Sequence, residues 1–419
     1  MEKIASLAEE LKKQLPAELV AILHLVGEIS SGLGYRIYLV GGVVRDLFLY
    51  RPNLDLDLVV EGDAIRLAEE LVKTRDGHLV THSRFNTSRI EWEKWRIDIA
   101  CARSEGYARP GALPEVKPCD IFSDLIRRDF TINSMAISLN PANYGELIDL
   151  YHGQEDLNRG LIRVLHDNSF RDDATRIWRA VRYEQRLNFQ IEPHTLDLIK
   201  RDIDYLKTIS GDRIRHELEL CLEEERPEKV LARADRLGLL ARLVPPLKAD
   251  EWVVKKISRA RNLVQPYSPS KELYLAFLVY RLTCEELALL ISYLKFPRTI
   301  SRILQETLQL RDQLHLIDRP SVAPSQIYRC LHPYHQIAIL ANLLASDSAW
   351  IKENIELYLN RLRYVHPLTS GEDLKKMDIA SGPLIKEILE MLREARLDGK
   401  VSTRDDEMRL IISSGKYHH

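Results

Sequence analysis

Asp55 and Asp57 stand two apart in the run YLVGGVVRDLFLYRPNLDLDLVV. In an extended chain alternate residues share a face. Both carboxylates therefore project from one side, while Leu54, Leu56 and Leu58 face the core. Asp is a poor strand former, and two Asp side by side repel each other unless a divalent cation relieves them. Hard carboxylate oxygens suit Mg²⁺, which binds through one or two of them plus substrate phosphates. A solvated strand face carries alternating acids as well, and the neighbourhood narrows that choice. Gly41-Gly42 closes a strand and opens a helix, where backbone N–H groups are free to meet a phosphate. Arg45 and Asp46 follow on that helix. GG, RD and DxD within 17 residues fit an in-line displacement at phosphorus. Asp98, in WRIDIA, is a candidate third carboxylate or simply a strand-end Asp.

Two further clusters carry cations. In DLIRRDFTINSMAIS, Arg127 and Arg128 precede Asp129 and Asn133 and lead into the apolar Ile132, Met135 and Ile137. An arginine pair beside a core can grip a triphosphate bidentately, although adjacent arginines also occur on solvated faces. In RDDATRIWRAVR, Asp173 and Arg176 are spaced as helical neighbours, with Arg179 and Arg182 continuing along the same face. The spacing suits an exposed salt-bridged helix. It equally suits a pair that reads the edge of a base, Asp accepting from an amino group and Arg donating to ring acceptors.

Short β-rich runs alternate with helical ones from about 35 to 150. RIYLV (Arg36–Val40), LDLDLVV (Leu54–Val60), HLVTH (His78–His82), TSRIEW (Thr87–Trp92) and WRIDIA (Trp95–Ala100) are expected strands. After about 167 the segments are amphipathic at period 3.6 and punctuated by Pro and Gly. The expected class is α+β, a small mixed α/β head followed by consecutive helices. The Gly/Pro-rich stretch over about 103–118 is expected to be a flexible loop. The 419 residues carry 60 basic and 62 acidic side chains and are 45% hydrophobic, which excludes disordered and collagen-like classes. The balance excludes only a uniformly basic surface, so a local basic track and a salt-dependent grip on nucleic acid are expected.

Five scattered cysteines exclude a disulfide framework and point to a reducing compartment. The first 30 residues lack an uninterrupted apolar stretch, and no run is apolar enough to span a bilayer. A cytoplasmic location is therefore expected, with no membrane partner and no obligate protein partner evident. CLHPYH (Cys330, His332, His335) has no trusted zinc spacing.

In combination, GGVVRD with LDLD, RRDFTINSMA, IDLYHGQEDLNRGLIRVL, DDATRIWRAVRYEQRLNF and GDRIRHELE resemble the class II tRNA nucleotidyltransferases. That family comprises the CCA-adding enzymes and their relatives, including bacterial poly(A) polymerases. The resemblance spans about 35 to 219. It implies a nucleotidyltransferase head over 1–150, a helical neck with a nucleotide-selecting motif over 151–225, and a tRNA-binding body and tail over 226–419. It further implies that Asp55 and Asp57 are catalytic and hold Mg²⁺, and that Gly42 and Arg45 contact the triphosphate. Arg127 or Arg128 with Asn133 would handle phosphate and ribose. Asp173 and Arg176 would pair with incoming CTP or ATP, supported by Arg179 and Arg182. The implied activity is addition of CCA to the tRNA 3′ end with release of pyrophosphate. A-only or CC-only addition, poly(A) synthesis and an inactive RNA-binding protein are the alternatives. Tyr50, Leu54 and Ala174 depart from the family pattern without removing a reacting group.

Overall fold

The computed structural model describes residues 6–414 except 76, 93–94, 108, 113, 264–266, 378 and 380–381. The chain divides into two compact units, Met1–Arg242 and Leu243–His419. The expected head and neck segments both fall in the first, together with the opening stretch of the expected body.

The first unit begins with α1 (Ala8–Gln14), α2 (Ala17–Gly32), β1 (Arg36–Val40), α3 (Gly42–Phe48), β2 (Leu56–Glu61) and α4 (Ala64–Thr74). Then come β3 (His78–His82), β4 (Thr87–Trp92), β5 (Trp95–Cys101), β6 (Arg103–Gly106), β7 (Glu115–Pro118), α5 (Ile121–Ile126), β8 (Ala136–Ser138) and β9 (Leu147–Ile148). Seven strands form one sheet in the order β3-β4-β5-β2-β1-β8-β9. Its ladders are antiparallel apart from β2 beside β5, which run parallel.

Alternation decides what each face buries. Ile37, Leu39, Leu56, Leu58, Ile97 and Ile99 are buried, and α2 and α4 lie against that part of the unit. Tyr38, Val40 and Val59, on the opposite face, pack with Ile121 and Leu125 of α5. Because both faces are covered, β1 and β2 read as nearly continuous apolar runs. The strand carrying the paired aspartates starts later than its alternation predicts. β2 opens at Leu56, so Asp55 precedes it and Leu54 is 44% exposed rather than in the core. The segment over 103–118 is not a featureless loop: β6 and β7 pair as an antiparallel ribbon, while Ala108 and Leu113 near its tip lie outside the described residues.

Helices follow: α6 (Gly153–Arg159), α7 (Ser169–Asp172), α8 (Thr175–Leu187), α9 (Pro193–Asp202), α10 (Gly211–Leu222) and α11 (Pro227–Arg236). α8 buries Ile177, Trp178 and Val181 completely. It stops at Asn188, whose left-handed backbone (φ 59°) ends the helix. In the second unit the described elements are helical. One of its cores gathers Leu310, Ile327, Leu331, Ile355 and Leu362, and another Leu374, Ile388, Leu392 and Ile411. Among the described residues no helix is long and apolar enough to cross a membrane.

Candidate active site

The parallel register of β2 and β5 sets Asp57 directly beside Asp98. Asp57 shares the face of Val59, the face covered by α5. Desolvation at this position, then the charges of Asp98 and Asp55, push the Asp57 carboxyl above the ordinary carboxylate range, while Arg128 and Arg96 pull it down. Asp98 is engaged otherwise. Arg89 on β4 donates from Nε to its Oδ1 at 2.7 Å, and Arg96 Nε lies 3.6 Å from its Oδ2. Among the described residues no three His, Cys, Asp or Glu side chains converge as a metal-holding set. The hard oxygens of Asp55 and Asp57 instead fit a cation that takes its remaining ligands from water and phosphate.

Above this pair the chain turns through Gly41, with φ 76° and ψ −136°, into α3. A Cβ at Gly41 would lie 3.4 Å from Arg128 Nη1 and 3.7 Å from Asp57 Oδ2. The backbone here passes close to both Asp57 and Arg128. Arg45 is buried and locked. Its Nε and Nη2 donate to Asp46 at 2.9 and 2.8 Å, its Nη1 donates to Asn133 Oδ1 at 2.8 Å, and Asn53 steadies Asp46 from the other side.

Asp124, one turn before the arginine pair, is fully buried between them. It accepts from Arg127 at 2.6 Å and from Arg128 at 2.9 Å. Burial alone would raise its carboxyl, but the charges of Arg128 and Arg127 hold it below the ordinary range. Arg127 also donates to the carbonyl of Arg103 and to Glu105 on β6, which ties it to the ribbon. Asp129 is buried and accepts from Arg179 at 2.8 and 2.6 Å, from Asn133 at 3.0 Å and from the amide of Phe130 at 2.8 Å. Against the effect of burial, Arg179 first and then Asn133 keep this carboxylate ionised below the usual range.

The third cluster differs from an exposed helical ridge. α8 begins at Thr175, so Asp173 stands just before it in extended backbone and accepts from the Thr175 amide and hydroxyl. Its other oxygen accepts from Arg213 on α10 at 2.8 Å. Arg176 is buried and donates to the Ser169 hydroxyl at 2.7 Å and to the Arg127 carbonyl. Arg182 is buried too, 3.6 Å from Glu217 and 3.5 Å from Glu224.

Gly42, Arg45, Asp55, Asp57, Arg127, Arg128, Asn133, Asp173, Arg176 and Arg179 all line one cavity of about 780 Å³. Arg182 does not, and Asp98 lines an adjoining recess that shares Asp57, Arg127 and Arg128. Gly41, read with Gly42 as a phosphate-facing turn, lines the main cavity too, and sequence reasoning gave no role to Glu105, Tyr107, Asp129, Tyr183 and Arg213, which also line it. Asp124 carried a readable signal, three and four residues before the arginine pair. Arg213 lies within GDRIRHELE, one of the runs that carry the resemblance, but nothing in its spacing names a partner 40 residues away. CLHPYH makes no metal site in the second unit. His335 caps a helix by accepting from Ile337, His332 stacks on Tyr328, and Cys330 is buried.

Comparison with known proteins decides the family. Residues 37–163 match the family described as Poly A polymerase head domain. Residues 188–251 match the one described as the probable RNA and SrmB- binding site of polymerase A. An A-adding tRNA nucleotidyltransferase of Halalkalibacterium halodurans is 33% identical over 92% of this chain and 90% of its own length. The chain belongs to the tRNA nucleotidyltransferases. Another A-adding member, from Geobacter sulfurreducens, is 34% identical over 96% of this chain, which spans only 48% of that relative. A CCA-adding enzyme of Bacillus velezensis shares 27% over 96%. Among solved structures, a CCA-adding enzyme in an apo form superposes with a TM-score of 0.84 at 30% identity, covering 99% of this chain and 100% of that one.

Proposed function

We propose that this chain transfers a nucleotide from a nucleoside triphosphate to the 3′ end of tRNA without a nucleic-acid template, and that the nucleotide is the terminal A. The observation carrying the reading is the single cavity in which the Asp55–Asp57 pair, the arginines and the Asp173–Arg176 pair meet. The tRNA 3′-oxygen would attack the α-phosphorus, the bond to the β-phosphate would break, and pyrophosphate and the hydroxyl proton would leave. Mg²⁺, held by Asp55 and Asp57, would supply positive charge at the phosphates and the attacking oxygen. Arg45, Arg128 and the Gly41-Gly42 backbone would orient the triphosphate, with Asn133 at the ribose. Asp173 and Arg176 would accept from and donate to the edge of the base. Catalysis then rests on positioning and electrostatics, without a covalent intermediate.

Adenine and cytosine both offer an amino group beside a ring acceptor, so that pair suits either. The relatives favour A. Two that carry the A-adding name share 33% and 34% identity, against 27% for one named CCA-adding. Full CCA addition is the second reading, favoured by the likeness of the whole chain to a solved CCA-adding enzyme. The test is extension of tRNA ending at the discriminator base, at +C and at +CC, with CTP and ATP and Mg²⁺, followed by product sizing. Extension of the +CC form alone, by one A, supports A-addition. Completion of the shortest form moves the assignment to CCA addition, and no pyrophosphate release from any substrate overturns both.

A further inference from the structure

Tyr183 sits on α8, one turn after Arg179, and three guanidinium groups surround its ring. The Cζ of Arg182 lies 5.0 Å from the ring centroid, that of Arg45 5.2 Å and that of Arg179 5.7 Å. Phe130 closes the remaining side edge-on, with centroids 5.9 Å apart and planes at 83°. The ring is buried yet lines the nucleotide cavity. Arg179 and Arg182 belong to the same helix as Tyr183, but Arg45 comes from α3, beside the Gly41-Gly42 turn. Each guanidinium already faces a carboxylate, Arg45 that of Asp46, Arg179 that of Asp129 and Arg182 that of Glu217, and the ring faces all three from a further side. A π face attracts each of them without adding a formal charge that would compete for phosphate.

We propose that Tyr183 is a positioning residue that couples the triphosphate grip at Arg45 to the base-selecting helix α8, the ring fixing the separation between the two. A further carboxylate in its place would add a negative charge facing incoming phosphate, and an aliphatic side chain would fill the space without attracting the arginines. The proposal rests on the nucleotide-transfer reading for what the cavity binds. It differs from that reading in assigning Tyr183 a task that touches neither metal nor base.

The test replaces Tyr183 by Phe and by phenylalanines carrying increasing numbers of fluorines. These keep the shape of the ring while draining its negative face. Binding of ATP and of inorganic tripolyphosphate is measured without tRNA, alongside KM and kcat for ATP with tRNA. Tyr183→Phe removes the hydroxyl and keeps the π face, and it is the reference against which the fluorinated rings are read. Across the fluorinated series ATP affinity is expected to fall by about tenfold, visible as a rise in KM larger than the change in kcat. Tripolyphosphate, which has no base to align, is expected to weaken less than ATP. A flat series, or equal losses for ATP and tripolyphosphate, overturns the proposal. If the parent chain binds ATP but extends no tRNA, the functional reading fails, while the binding series still decides the role of Tyr183.

Discussion

At the scale of single residues, the proposed transfer separates groups that would meet substrate from groups that hold those groups still. Asp57 would belong to the first kind. Asp57→Asn keeps the size and the hydrogen-bonding oxygen but removes the charge that a cation needs. It is expected to lower transfer by more than about a hundredfold, while tRNA retained on a filter stays at the parent level. Arg213 belongs to the second kind, since it pins the outer oxygen of Asp173 at 2.8 Å. In Arg213→Ala that carboxylate keeps only its bonds from the Thr175 amide and hydroxyl, and its second oxygen loses its fixed direction. The expected outcome is a fall in the ATP-over-GTP preference of about tenfold, since guanine offers a carbonyl where adenine offers an amino group, with little change in tRNA affinity, read from competition between the two nucleotides. The contrast explains what was legible in the sequence. Asp57, Arg45 and Asp173 announce themselves by type and local spacing. Arg213 meets Asp173, and Tyr183 meets Arg45, across a long stretch of chain, and spacing carries no trace of those partners.

Between elements, the decisive joint is Asp129, which leaves the loop ahead of β8 and is gripped by Arg179 of α8. Its folded-state carboxyl lies below the ordinary value. The stability it contributes is therefore complete above the unfolded pKa of about 4 and is lost as pH falls through the lower folded value. Asp129→Asn leaves Arg179 with only the buried Glu217, 3.7 Å away, as counter-charge. It is expected to destabilise the chain by about 3 kcal/mol at pH 7, and the gap to the parent chain is expected to narrow as thermal melts are repeated from pH 5 down to pH 3. Strand limits were largely readable at this scale: β1, β3 and β4 fall where their apolar runs begin and end. β2 does not, because Leu54 extends the alternation by pattern alone with no core to receive it. The ribbon of β6 and β7 escaped because Gly and Pro mark turns without saying whether the flanks pair.

For the molecule as a whole, the change from period 2 to period 3.6 announced a mixed sheet followed by helices. The division at Arg242 and Leu243 was not readable, because amphipathic helices continue through it without a linker-like composition. The even balance of 60 basic and 62 acidic residues takes on meaning in the cavity. Arg45, Arg127, Arg128, Arg179 and Arg213 each hold a carboxylate already. Arriving phosphates thus meet cations whose small counterions have been displaced by folding. ATP affinity is expected to vary little between 50 and 200 mM salt (about twofold or less), whereas tRNA, binding through many phosphates, is expected to weaken steeply over the same range. Titrations of both ligands at several ionic strengths check this. Gly41 has a last consequence, visible in what a population of variants retains. Its φ of 76° with ψ of −136° is a conformation that side chains resist. Gly42 is helical, and a Cβ there meets nothing nearer than 3.5 Å. In a library with every codon at both positions, selected for transfer, position 42 is expected to return alanine and serine beside glycine, and position 41 glycine alone. The backbone then demands the first glycine of the pair and leaves the second open to a small side chain.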